Sequence, residues 1–484
     1  MKNVQNEAIN WAVCPNCKGS GKKSQKLRKK VRLNYQREVE QFENSKTKGV
    51  APIRPKAHVS SCLHCAGSGL FQDANPPISN SDDYPHVAII GAGIGGVALA
   101  VACLHRRIPF TLFERDANFE ERSQGYGLTL QQASKAMEGF GIFSLENGIV
   151  STRHLVHTPE GKVVGEWGMR KWMPSDSKKS PKRTNIHIAR QSLRLALLQQ
   201  LGGHESVQWG HQFVNYKVLK DETVELKFQV DGKSKIAKAD LVVGADGIRS
   251  ALRNVLLGEA ISPLRYLDCL VILGICSLSA LKNSKSSLLD SATVFQTGNG
   301  NERIYMMPFT KDSVMWQLSF PMSEQEAKAI SSKGNAALKA EAIRRTPWHD
   351  PIPEILKATL VSQISGYPVY DRTVLQPELL EKEKQITLLG DAAHPMSPFK
   401  GQGANQALLD ALALARGIAK GCQVASKWKA VGIRKTVLTE FETEMLARSA
   451  VKVKDSANAA AYLHSELVLY ESDQPRGKHY KNEE

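Results

Sequence analysis

Several things are missing from this 484-residue chain, and each absence narrows what it does. No run approaches the roughly 18 apolar residues of a membrane span. The first residues, MKNVQNEAINWAVCPNC, have no apolar segment of the kind that opens a secretory leader, so a cytoplasmic protein is expected. Cysteine is scarce, eight in all, and in so long a chain that argues against a disulfide framework. Cys103, Cys269, Cys276 and Cys422 sit in apolar contexts and read as small buried hydrophobes. No Ser/His/Asp or Cys/His grouping for nucleophilic catalysis is legible. Acidic excess is absent too: 64 Lys+Arg against 48 Asp+Glu give a formal net charge of +16. The surplus is uneven. Residues 1–65 hold 14 Lys/Arg against 4 Glu, so 14 − 4 = 10 of the charges lie there. A basic arm on a mildly basic body fits this better than a nucleic-acid-binding protein.

The other four cysteines form a repeat. C-P-N-C-K-G-S-G at 14–21 recurs as C-L-H-C-A-G-S-G at 62–69. Cys14, Cys17, Cys62 and Cys65 supply four thiolates, the donor set of a closed tetrahedral zinc site. The glycines let backbone N–H groups turn toward the sulfurs. The pattern resembles the DnaJ-type zinc finger, although the insert between the knuckles is long. A redox C-x-x-C is the rival, but it normally opens a helix after a strand. His58 and His64 are nearby candidates for ligands. Between the knuckles, residues 22–44 place Leu27, Val31, Tyr35, Val39 and Phe42 at helical spacing among many basic residues. This predicts a basic amphipathic helix, either a solvated face or a seat for a protein or anionic partner. The polar, proline-rich stretch 72–85 reads as a linker.

Three further motifs follow in order. V-A-I-I-G-A-G-I-G-G at 87–96 is a buried strand running into G-x-G-x-x-G, with a helix expected over 97–106. Gly91, Gly93 and Gly96 serve the tight turn, close approach of a pyrophosphate and helix–strand packing. Glu114, about twenty residues on, is placed for ribose hydroxyls. A-D-L-V-V-G-A-D-G-I-R-S spans 239–250. L-L-G-D-A-A-H-P-M-S-P-F-K-G-Q-G-A-N-Q-A spans 388–407, a strand, a proline-containing loop and a helix start expected at Gln402. Such a helix start aims N–H groups and a positive dipole end at one spot, suited to an anion or an electron-rich ring edge.

Together these stretches resemble the single-component FAD-dependent aromatic hydroxylases, which include tetracycline-inactivating types, over about 84–448. The resemblance implies an α/β fold: a Rossmann-like FAD-binding domain, an antiparallel-sheet substrate domain and C-terminal helices, preceded by the zinc module. Its expected boundaries are 1–70 for the zinc module and 71–84 for the linker. The FAD domain takes 85–151, 183–262 and 364–424. The substrate domain takes 152–182 and 263–363, and helices and tail take 425–484. Cofactor contacts are implied for Gly91, Gly93, Gly96, Glu114, Arg115, Arg122, Arg190, Asp246, Gly390, Asp391, Gly403, Ala404 and Asn405. Pro398, Gly401 and Gln402 are implied near the isoalloxazine. Arg122 reads equally as a solvated surface arginine, and Gln131 stands where the family often has another residue. His394 is implied as structural beside the cofactor.

Strands are expected at 267–277, 292–295, 303–308 and 314–321, with a hairpin at 152–167. Of Tyr305, Met306, Met307, Phe309, Trp316 and Phe320, about half should face a substrate pocket. Residues 171–183 read as a basic loop. Helices are expected at 437–446 and 450–470, then a disordered tail. The implied activity is NAD(P)H- and dioxygen-dependent hydroxylation of an aromatic or polycyclic small molecule through a flavin C4a-hydroperoxide, with basic residues leaning to NADPH. No catalytic side chain is assigned, since the flavin carries the chemistry. The alternatives are an FAD-dependent reductase on the same fold, or a zinc-module interaction protein with a vestigial flavin domain.

Overall fold

The computed structural model describes residues 10–24, 26–44, 52, 55, 59–122, 126–169, 185–281, 286–423 and 427–476. His58, the basic 171–183 loop and the last eight residues lie outside these. The chain divides into two compact units, Met1–Ile78 and Ser79–Glu484.

In the first unit, β1 (Asn10–Val13) pairs antiparallel with β4 (Leu70–Asp73), and β2 (Lys22–Ser24) pairs with β3 (Val59–Ser61). The two knuckles exchange equivalent bonds: Cys14 N–H donates to Gly69 O and Cys62 N–H to Gly21 O, each at 2.9 Å. The repeated glycines pack backbone on backbone. A Cβ on Gly21 would lie 2.1 Å from Gly67 O, and one on Gly69 would lie 2.5 Å from Gly19 O. The insert between the knuckles opens as strand β2, not as the expected helix, because Lys22–Ser24 are needed for pairing. The helix itself, α1, runs Lys29–Asn44 and buries none of its residues.

Part of the stretch expected as a linker over 71–84 is held by hydrogen bonds. Residues 71–73 complete β4. Asn80 caps the following turn, accepting at Oδ1 from Asp82 and Asp83 N–H, and Asn80 N–H reaches Arg107 O.

The second unit begins with a parallel sheet ordered β12-β6-β5-β16-β22. Its strands are β5 (Val87–Ile90), β6 (Phe110–Phe113), β12 (Val207–Gln208), β16 (Leu241–Gly244) and β22 (Ile386–Leu388). β5, β16 and β22 are buried on both faces, as strands of a sheet covered on two sides are. Helix α2 (Ile94–Leu104) is almost wholly apolar and buried, so its hydrophobicity is nearly uniform around the axis. It packs against α3 (Arg190–Gln199) and the long α8 (Gly403–Gly421).

A seven-stranded sheet follows, ordered β10-β9-β18-β19-β20-β17-β21. β9 (Arg153–His157) and β10 (Val163–Trp167) form the expected hairpin. β17 (Leu264–Ser277), β18 (Thr293–Gly298), β19 (Arg303–Thr310), β20 (Ser313–Pro321) and β21 (Ile364–Arg372) complete it. One face packs Leu270, Ile272, Ile304, Met306, Trp316 and Leu318 on helices α5 (Glu324–Ser332), α6 (Asn335–Arg345) and α7 (Ile352–Ala358). A small sheet, β7 (Gly127–Leu130), β11 (Ile186–Ala189) and β8 (Ile149–Val150), faces the other side.

The two helices expected near the end are one. α9 runs unbroken from Thr439 to Leu463, since no Gly or Pro interrupts it and Ser449 is buried inside its turn. The tail expected to be disordered is bound as far as Arg476. Ser472 N–H donates to Val164 O, and Arg476 reaches the Val164 and Val468 carbonyls. No described helix is long and apolar enough to cross a membrane.

Candidate active site and metal centre

The three glycine-rich turns meet because their backbones interlock. Gly91 leaves β5 at φ +103°, and a Cβ there would lie 2.6 Å from Ala245 O and 2.8 Å from Asp246 Cα. A Cβ on Gly96 would lie 1.8 Å from Gly91 O. Leu389 N–H donates to Gly244 O, tying the third turn to the second. Gly93 differs: a methyl group there would meet no protein atom within 4 Å. Its open side is the cradle at the start of α2, where N–H groups and the dipole converge.

These turns open onto a cavity of about 930 Å³, large enough for a cofactor and more. Gly93, Arg190, Gly390, Asp391, Pro398, Gly401, Gln402, Gly403 and Ala404 line it. Asp391 opens onto the cavity, and desolvation by the surrounding protein pushes its carboxyl upward. The Arg190 guanidinium is half-buried beside Tyr126, whose hydroxyl accepts at 3.3 Å, and its pKa is raised by Tyr126 first and then by Asp391. Asp246 accepts from Leu252 N–H through Oδ2, while Oδ1 is buried without a partner and burial raises its pKa. Asp246 itself is not among the residues lining the cavity; the open face of Gly93 and the helix start at α8 fit a dinucleotide's phosphates.

Other expected contacts have different places. Gly91 and Gly96 form the turn without lining the cavity. Glu114 accepts from Ala92, Arg115 and Asp116 N–H groups, bracing that turn from behind. The Arg115 side chain is solvent-exposed. Arg122 ends a 3₁₀ turn, and its side chain lies outside the described residues. Asn405 is fully committed within the protein: Oδ1 accepts from Gln131 and Ala133 N–H, and Nδ2 donates to Thr129 and Gly401 carbonyls. It clamps β7 to the α8 loop. Gln131 lines the cavity and accepts from Gln402 Nε2 at 2.7 Å.

His394 does not reach the cavity. Its Nε2 meets Asp410 Oδ2 at 2.7 Å, both side chains wholly buried, and Asp410 also takes Arg448 and Gly390 N–H. This holds the glycine-aspartate turn rigid. Three supporting residues escaped the sequence reading: Asp410, Arg253, which donates to the Ala392 and Ala393 carbonyls, and Arg194, whose Nε donates to Ala92 O at 2.7 Å. The i, i+4 spacing of Arg190 and Arg194 was the available signal, placing both on one face of α3.

The far wall of the cavity is the open face of the seven-stranded sheet. Tyr305, Met307, Met315, Gln317, Tyr367 and Val369 line it. Of the six candidates there, Tyr305 and Met307 face the cavity, whereas Met306, Trp316 and Phe320 belong to the core behind. Phe309 packs in one cluster with Met307 and Met315 without lining the cavity.

In the first unit the Sγ atoms of Cys14, Cys17, Cys62 and Cys65 all lie within 4.8 Å of one another, buried. Gly21 and Gly69 N–H groups point at Cys17 and Cys65 Sγ at 3.2 and 3.3 Å. Four converging thiols with N–H support suit a tetrahedral metal ion. No histidine joins the described cluster.

One dinucleotide turn, a glycine-aspartate turn and a roofed cavity define a flavoprotein with a single nucleotide-binding domain. The chain belongs to the FAD binding domain family, whose pattern matches residues 84–429. Aurachin C monooxygenase/isomerase of Stigmatella aurantiaca is 29% identical over 68% of this chain and 79% of its own. The 3-amino-4-hydroxybenzoate 2-monooxygenase PtmB3 of Streptomyces platensis is 26% identical over 69% and 80%. HpxO of Klebsiella pneumoniae, solved with FAD and uric acid, superposes with a TM-score of 0.62 at 20% identity, over 79% of this chain and 89% of that one. Family and relatives make this chain an FAD-dependent monooxygenase.

Proposed function

We propose that the second unit uses NAD(P)H and dioxygen to hydroxylate an aromatic or polycyclic small molecule, and that the first unit holds a structural zinc ion. The carrying observation is one cavity bounded by the nucleotide turn, the Gly390–Ala404 loop and an apolar sheet wall. Bound FAD supplies redox chemistry and oxygen activation that side chains lack. The protein's part is placement. The α2 N-terminus would receive the pyrophosphate, and Asp391 would receive ribityl hydroxyls. N–H groups at the start of α8 would stabilise negative charge on the edge of the bound ring. Met307, Met315, Tyr305 and Tyr367 give the substrate a dry planar slot, which excludes water from the reacting face. The relatives' names, a hydroxybenzoate among them, support an arene substrate. NADPH is favoured over NADH by the basic composition.

The test is anaerobic bleaching of the bound flavin by NADPH in a stopped-flow, with and without a panel of arenes. A substrate should accelerate bleaching, and admitted oxygen should then appear in a hydroxylated product by mass spectrometry. Rapid bleaching without any arene, and no oxygen incorporation, would favour the reductase alternative instead.

A further inference from the structure

The insert between the two cysteine knuckles is charged in a way that its own fold does not use. Residues 18–37 hold nine Lys or Arg and no Asp or Glu. All nine are exposed, from the first knuckle through β2 into the first half of α1. Among the described residues none of them enters an ion pair. The helix is also charged against its own stability. A helix favours acids in its first turn and bases in its last. α1 has neither. Lys29, Lys30 and Arg32 crowd its positive end, and Glu40 and Glu43 stand toward its negative end. Inside the fold that placement gains nothing. Outside it, the cations and the dipole add at one end, where they draw in an anion.

Three kinds of anionic partner match such a ridge in charge, and the residue types separate them. Protein interfaces favour Arg and aromatic residues and are depleted in Lys. Six of the nine cations are Lys. A lipid surface needs an apolar helix face that can sink into it. Tyr35, Val39 and Phe42 of the apolar stripe are already half-buried, and of the apolar residues of α1 only Val31 and Leu33 are exposed, at 37% and 40%. A nucleic-acid backbone presents phosphates at close, regular spacing, and lysine meets each as a point charge.

We propose that the basic face running from β2 into α1 docks on the phosphate backbone of a nucleic acid, so that the zinc module tethers the monooxygenase to that polymer. Tyr35 is the single aromatic in residues 18–37 and is half-buried, so stacking on bases plays no part. The contact is to phosphates and is independent of sequence. RNA and DNA share this chemistry, and the probes separate them. The attachment belongs to the arm and does not depend on what the cavity hydroxylates.

The experiment titrates the full chain, loaded with zinc and FAD, into short labelled RNA and DNA, each single- and double-stranded. Fluorescence anisotropy is read from about 50 to 200 mM salt. Binding should be about micromolar or tighter at the low end and should weaken with a log–log slope of about −4 or steeper. The polymer bound most tightly identifies the source. The triple variant Lys29→Glu, Lys30→Glu, Arg32→Glu should weaken binding at least about tenfold and flatten the slope by about 2 to 3, with zinc and FAD content unchanged. Polyglutamate and phosphatidylserine vesicles are the comparison anions. No binding to any of the four nucleic acids, a slope shallower than about −2, equal binding of polyglutamate, or wild-type affinity in the triple variant would overturn the proposal. Vesicles bound in preference to every nucleic acid would replace it with a membrane attachment. Should the charge-reversed variant lose zinc, the neutral triple Lys29→Gln, Lys30→Gln, Arg32→Gln takes its place, and undiminished binding there overturns the proposal in the same way.

Discussion

Gly93 and Gly96 stand three residues apart in one turn, yet they should fail in opposite ways when changed to alanine. Gly93 sits at φ −71°, ψ −175°, extended backbone that any residue adopts, and a methyl group there touches nothing in the protein. Nothing in the fold therefore demands glycine at 93. A ligand phosphate drawn close to the α2 N-terminus would demand it. Gly93→Ala should leave the stability of FAD-stripped protein within about 0.5 kcal/mol of wild type. Its FAD dissociation constant should rise at least about tenfold, or about 1.4 kcal/mol. Gly96 is the reverse. A Cβ there stands 1.8 Å from Gly91 O, which is 3.4 − 1.8 = 1.6 Å short of ordinary contact. The neighbour is backbone, held by Gly91 N–H to Phe113 O, so it cannot swing aside. Gly96→Ala should cost about 1–3 kcal/mol or more in the stripped protein itself. Urea unfolding of stripped protein gives the first quantity and fluorescence titration with FAD the second. Wild-type FAD affinity in Gly93→Ala would refute the placement of the pyrophosphate. Early unfolding of Gly93→Ala would refute the packing argument.

Asp391→Ala should sharply lower the flavin content of purified protein, since Asp391 lines the cavity wall and is open to it; undiminished yellow colour would count against the assignment. Cys62→Ser should reduce bound zinc from about one ion per chain to none by native mass spectrometry, with flavin content unchanged, and retention of zinc would break the four-thiolate reading. Asp410→Asn should cost about 3–5 kcal/mol near neutrality, because His394 and Arg448 lose a buried partner. The sign with pH follows: burial alone would raise Asp410, but His394 and Arg448 hold it below the ordinary carboxylate range. Its contribution is present above about pH 4 and is lost as pH falls through the lower folded value. The wild type should lose more stability than the variant over that acid range, and parallel curves would exclude the pair as the source.

Much of the nucleotide half was legible because its constraints are local. A turn that requires glycine shows glycine, and a doubly covered strand shows an unbroken apolar run. The same holds for the cysteine knuckles, whose repeated glycines pack on each other's carbonyls. The long insert obscured this only because pairing across it, Lys22 to Ser61, spans residues distant in sequence. Supporting groups were illegible for a related reason. Asp410 looks like any aspartate of a helix, and nothing beside it reveals that His394 and Arg448 converge on it from separate elements.

The sheet wall was harder still, because both of its faces are dry. Where one face of a strand meets water, polar residues alternate with apolar ones and the inward face can be named. In β19 the sequence R-I-Y-M-M puts Ile304 and Met306 against the helices and Arg303, Tyr305 and Met307 toward the cavity. Hydrophobicity therefore marks burial there without saying which face is core and which is slot. The informative residue in such a strand is the one that hydrophobicity does not explain. Arg303 breaks the apolar run and occupies the cavity face, and among the described residues no carboxylate pairs with it. A charge in that position is either a defect in the core or half of an interaction completed by a ligand. Its bracing by Gln296 and the Tyr305 ring beneath it hold it on the cavity face.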